Sequence, residues 1–217
     1  RQKPKPVVSS IVPVPKALYQ NNAKVVLCID AFILNGLPFF TTISKKICYR
    51  TSSWIPSQTV KAYRSELVKI FRIYNTAGFL VTEIYCDNEF RPLVESLQDE
   101  FNISVNFAAP QEHVPEVERS IRVIKERVRG LFHYLPFTHL PKKVVKMMAM
   151  ECTKKLNYFP AKHGISEFYS PRMIMHQRTL EYTTHCSIPF CTYVQAHTEN
   201  MPTNTMKPRT LDALYIR

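Results

Sequence analysis

Residues Pro115–Phe137 read P-E-V-E-R-S-I-R-V-I-K-E-R-V-R-G-L-F-H-Y-L-P-F, and their spacing organises the reading of the whole chain. Val117, Ile121, Ile124, Val128 and Leu131 recur at steps of four and three, the apolar stripe of a helix seated on a core. Glu118, Arg122, Lys125 and Arg129 follow one residue behind, forming a second stripe roughly 100° round from the first. A carboxylate therefore heads a ladder of cations. Such a ladder suits a surface where an acid holds a metal ion and the cations hold a phosphate chain. It also suits a solvated helix face with pairs four apart, each worth only a few tenths of a kcal/mol, so the rest of the chain must choose.

With 29 Lys and Arg against 17 Asp and Glu, the chain carries a formal charge of +12, which points to a polyanionic partner. Nucleic acid is favoured over membrane, because no apolar run approaches the ~18 residues of a span. No charged-apolar-small leader is present, and the opening Arg1 reads as the start of an excised or processed piece. Six cysteines without a C-x-x-C pair do not make a disulfide scaffold, and Cys28 and Cys86 read as small buried residues. His185-Cys186 with Cys191 lacks the paired spacing of a zinc site.

Residues 1–20 are basic and proline-spaced, an extended linker or an arm packed on the domain. Lys24 to Asp30 is an unbroken apolar run closed by a carboxylate, which predicts a central strand with Asp30 at its end. Asn35-Gly36 marks a turn, and Pro38–Ser44 and Lys46–Ile55 complete an antiparallel meander. A helix capped by Ser57 follows, then a strand from Phe79 to Asp87, a short helix from Pro92, and a strand at Ile103–Phe107. After the loop Ala108–Pro115 comes the organising helix, then another beginning at Pro141. This order implies an α/β fold, a mixed five-stranded sheet with helices on both faces. A core over 21–165 is thus preceded by a linker (1–20) and followed by a basic, partly irregular or strand-containing extension (166–217), with Ile188–Gln195 its best strand.

Asp30 and Asp87 close two strands that neighbour in such a sheet, and Glu118 on a helix over that edge completes a trio. Convergent carboxylates repel one another unless cations neutralise them, and hard oxygen ligands favour Mg²⁺ or Mn²⁺. A pair of such ions suits phosphodiester chemistry. An aspartate after a strand also serves simply as a turn residue or cap.

C-D-N-E-F at 86–90 and A-P-Q-E-H-V-P-E-V-E-R-S-I-R at 109–122 resemble the integrase catalytic core of copia-type LTR retrotransposons and retroviruses. That family shows D-N-G-x-E-F and P-Q-x-N-G-x-x-E-R on an RNase H-like fold. The resemblance implies a polynucleotidyl transferase, encoded within a polyprotein, that processes element DNA ends and joins them into target DNA. It implies Asp30, Asp87 and Glu118 as catalytic metal ligands for Mg²⁺ or Mn²⁺. Arg122 and Lys125 match DNA-contacting positions, and Arg119 and Arg129 join them as DNA-binding candidates. It further implies a homo-oligomer and a nuclear site of action reached through a cytoplasmic virus-like particle. An RNase H-type nuclease, or a decayed DNA-binding remnant of such an element, would keep the same fold.

Two features depart from the family. Thirty residues separate Asp87 from Glu118, a short gap, and both motifs lack glycine. Glu116 is consequently a rival third ligand. Glu118 is preferred because Arg119 follows it and because only from 118 do steps of four and seven reach Arg122 and Lys125.

Overall fold

The computed structural model describes residues 11–108, 114–197, 206 and 208–216. A short helix α1 (Lys16–Asn21) leads into β1 (Lys24–Leu34), β2 (Leu37–Ser44) and β3 (Arg50–Trp54), an antiparallel meander. Helix α2 (Val60–Thr76) crosses to β4 (Leu80–Cys86), and α3 (Arg91–Phe101) crosses to β5 (Ser104–Phe107). Then come α4 (Pro115–Tyr134), α5 (Lys142–Leu156), α6 (Pro171–His176), α7 (Tyr182–His185), β6 (Thr192–His197) and β7 (Thr210–Tyr215). The five-stranded sheet runs β3-β2-β1-β4-β5, with β1, β4 and β5 mutually parallel. The mixed α/β sheet expected from the sequence is the one observed.

The two-residue period of β1 sorts its side chains between two cores. Leu27 and Ile29 face α2 and α3, packing with Leu67, Phe71, Tyr74, Leu93 and Leu97. Cys28 and Phe32 face the other way, towards α4 and α5, where Val117, Ile124, Val128 and Met148 lie. Helices thus cover both faces, and every residue between Leu27 and Ile29 is fully buried. Asn35 and Gly36, both with positive φ (48° and 71°), turn β1 tightly into β2.

Several expectations change in detail. Asp30 does not end its strand: it is the seventh of eleven residues in β1, because the hairpin with β2 carries pairing on to Leu34. The third strand begins only at Arg50; Ile47 turns into the core and Cys48 has a positive φ of 58°. Thr59, rather than Ser57, caps α2, its side-chain oxygen accepting from Ala62 N at 3.3 Å.

Residues 1–10 of the proline-spaced opening lie outside the described residues. From Ile11 the chain lies on the domain: Val12 N donates to the Gln177 carbonyl at 2.9 Å and Tyr19 Oη to that of Ile174 at 2.7 Å. Past the core, β6 pairs with β7, a strand the sequence pattern did not announce, and Phe190 and Cys191 dock this hairpin into the α4–α5 core. All six cysteines are free. No helix among the described residues is long and apolar enough to cross a membrane.

Candidate active site

Register carries the first two carboxylates together. β1 and β4 pair in parallel as far as Cys28 and Tyr85, so two further residues along each strand arrive at Asp30 and Asp87. Asp30 points to the face that α4 covers, by alternation with Cys28 and Phe32. Its Oδ1 accepts from Ala31 N at 2.6 Å. Asp87 begins the 3-10 turn Asn88–Phe90, yet its side chain makes no capping hydrogen bond to that turn. The turn is held instead by the backbone, Phe90 N donating to the Asp87 carbonyl at 3.0 Å. Its carboxylate therefore does not cap this turn.

Glu118 stands in the first turn of α4. Together with Asp30 it lines a cavity of about 700 Å³ whose wall is completed by Arg122, Lys125 and Arg129. The charged stripe read from the sequence is thus one wall of a single cavity. Lys125 extends over the Phe32 ring, its Nζ 5.6 Å from the centroid. Arg119 is exposed and lies outside that lining. Glu116, two residues from Glu118 and so roughly 200° round the helix, looks to the opposite flank. There it pairs with Lys45 at 3.4 Å, and Lys45 Nζ sits 3.5 Å from the Tyr85 ring centroid.

Asp87 is not among the lining residues of this cavity, whereas two further carboxylates, Glu89 and Glu126, are. Glu89, in the 3-10 turn, lines it beside Asp30 and Glu118. Burial raises its pKa, and Asp87 raises it further. Within C-D-N-E-F this residue carries no site role in the sequence pattern. A signal was available, since a tight turn after Asp87 brings a residue two further on back to the same strand end. The electrostatics of the group are dominated by Asp30, pushed up to about 6 by burial. The Ala31 N–H opposes that shift, while Asp87, Glu89 and Glu118 add to it.

These oxygens are the hard donors that Mg²⁺ or Mn²⁺ takes. As the side chains stand, no three acidic, histidine or cysteine groups among the described residues close to ion-holding distance. The donor chemistry fits; closure around an ion would need the carboxylates drawn inward against their mutual repulsion. His185, Cys186 and Cys191 form no such group either, and the His185 Nδ1 lies 2.9 Å from the Glu181 carbonyl. The motif stretch 109–113 lies outside the described residues.

No family model matches the chain, and no curated protein does. Among solved structures the chain is similar to one titled as the catalytic core domain of BIV integrase in crystal form I, with a TM-score of 0.51 at 17% identity. The likeness covers 69% of this chain and 92% of that one. At that identity it is a likeness of fold alone: the mixed five-stranded sheet with helices on both faces matches the RNase H-like fold expected from the sequence.

Proposed function

We propose that this chain is the core of an integrase-type polynucleotidyl transferase from a copia-type LTR retrotransposon, processing element DNA ends and joining them into target DNA. One observation carries the reading. A cavity floored by Asp30 and headed by Glu118 is walled by Arg122, Lys125 and Arg129, so acid and cation stripes face one space. Asp30, Asp87 and Glu118 would hold Mg²⁺ or Mn²⁺, which when bound supplies an activated nucleophilic oxygen and stabilises a leaving oxygen. Arg122, Lys125 and Arg129 neutralise backbone phosphates and hold the strand along α4. Lys125, its Nζ 5.6 Å from the Phe32 ring centroid, presents its charge to the same cavity. As partners the reading takes element and target DNA and further copies of this chain, with action in the nucleus after passage through a cytoplasmic virus-like particle.

The deciding experiment is Mg²⁺- or Mn²⁺-dependent joining of a labelled oligonucleotide into plasmid DNA, with Glu118→Gln and Glu116→Gln in parallel. Joining that Glu118→Gln abolishes and Glu116→Gln spares is the expected result. Cleavage of an RNA–DNA hybrid without joining would make the chain an RNase H-type nuclease. DNA binding with neither reaction would make it a decayed remnant.

A further inference from the structure

A second cationic cavity lies at the other end of the sheet. It measures about 520 Å³ and opens where α2 and α5 end, against the segment that carries α6. Ala77, in its wall, precedes β4, whereas Asp87 follows that strand. The length of β4, on the order of 20 Å, therefore stands between this cavity and the carboxylates.

Lys154, Arg172 and Arg178 line it, with Tyr49, Asn157 and His176 among their neighbours, and no carboxylate is present among the described lining residues. The Arg172 guanidinium lies 5.0 Å from the Tyr158 ring centroid, and its Nη1 is buried without a hydrogen-bond partner. A buried guanidinium N–H with no acceptor is unfavourable, which marks Arg172 as a cation without full compensation. Existing counter-charge is small. Lys154 lies 3.5 Å from Glu151, but that carboxylate is shared with Lys155 at 3.8 Å. The C-termini of α2 and α5 each contribute about half a negative charge, against three full cations. Residues 1–10, which precede the Ile11 bridge to Arg178, contain no acidic residue. His176 registers the uncompensated field. Burial first, then Arg172 and Arg178, holds its imidazole below the ordinary range. Its Nε2 lies 3.3 Å from Tyr49 Oη, a pair with hydrogen-bonding capacity at the cavity wall.

We propose that this cavity is a phosphate-binding site, in which Arg172 and Arg178 clamp phosphate oxygens and Lys154 adds a third cation. The volume exceeds that of one phosphate, so it takes a diphosphate or a phosphate within a nucleotide chain. Both sources present the same chemistry. This proposal does not rest on the carboxylate cavity being an active site.

The test is calorimetric titration of the full chain with inorganic pyrophosphate in the presence of EDTA, so that no metal-dependent event contributes. Single-site saturable binding is expected, weakened roughly tenfold for each cation removed in Arg178→Gln and in Arg178→Gln with Lys154→Gln. Arg122→Gln with Lys125→Gln, on α4, should leave it unchanged. Arg178 is exposed, so its single variant keeps the test decisive even where the double variant melts early. A short single-stranded oligonucleotide is then added as competitor. Displacement of pyrophosphate identifies backbone phosphate as the natural ligand, and no displacement identifies a free phosphorylated molecule. Absence of saturable binding would overturn the proposal. So would binding that the α4 pair abolishes and Arg178→Gln does not change.

Discussion

At the scale of single residues, Asp30 is where folding and chemistry oppose each other. Its pKa, about 6 in the folded chain against an ordinary value of 3.8, means the folded state prefers it protonated. Well below about pH 4 both states are protonated and Asp30 costs nothing; the cost builds between about pH 4 and 6, where the unfolded chain ionises first, and stays constant above 6. A two-unit shift corresponds to about 3 kcal/mol, and partial solvent screening reduces this to about 1 kcal/mol. Asp30→Asn, which retains an oxygen for the Ala31 N–H, should therefore stabilise the chain by about 1 kcal/mol at pH 7 to 8. The gain should fade towards pH 4. Urea melts across that range check it, and an equal effect at both ends would remove ionisation of the buried carboxyl as the cause. The cationic wall makes a separate demand. Lys125→Glu or Arg122→Glu should change stability by no more than about half a kcal/mol while abolishing DNA joining, since each places a carboxylate where a phosphate is to be held. Joining yield and melting curves on the same preparations decide between this wall and a merely solvated face.

At the scale of elements, α4 does two jobs with two flanks. Its buried face is Val117, Ser120, Ile124 and Val128, whereas Ile121, placed in the apolar stripe by spacing alone, is half-buried and lines the cavity. The helix is rolled towards its Ser120 side, where a small residue permits close approach to the sheet. This leaves Ile121 at the rim beside Glu118. Ile124, fully buried, is accordingly the residue whose truncation tests the packing: Ile124→Ala should cost about 2 to 5 kcal/mol. Ile121→Ala should cost clearly less, because the cavity already adjoins it. Denaturant midpoints for the two variants make the comparison, and equal losses would mean that α4 is seated as the stripe alone suggested.

For the whole molecule, the charge of +12 is not spread evenly in function. Arg122, Lys125 and Arg129 line one cavity, and Lys154, Arg172 and Arg178 line another at the far end of the sheet. DNA binding should be independent of sequence and fall linearly with salt on a double-logarithmic plot. Three phosphates neutralised by the α4 wall alone correspond to a slope of about −2.7. Fluorescence anisotropy of a labelled duplex between about 50 and 200 mM salt measures it. A flat response would remove nucleic acid from the proposed function.

Local periodicity was legible from the residues themselves. The meander, the two crossovers and the paired stripes of α4 depend on periods of 2 and 3.6, which a short window of sequence contains. So was the acid at each of three elements, because a charge within or after an apolar run stands out against its neighbours. What the sequence could not reveal is how far pairing extends, since that belongs to two strands at once: β2 carries β1 past Asp30 to Leu34. Nor could it show that Glu116 turns instead to Lys45, because that depends on which flank of the helix meets the sheet. The second cavity lay furthest from view. Tyr49, Lys154 and Arg178 are more than a hundred residues apart at the extremes, and only packing of α2, α5 and α6 around one sheet end brings their charges and hydrogen-bonding groups into a common space.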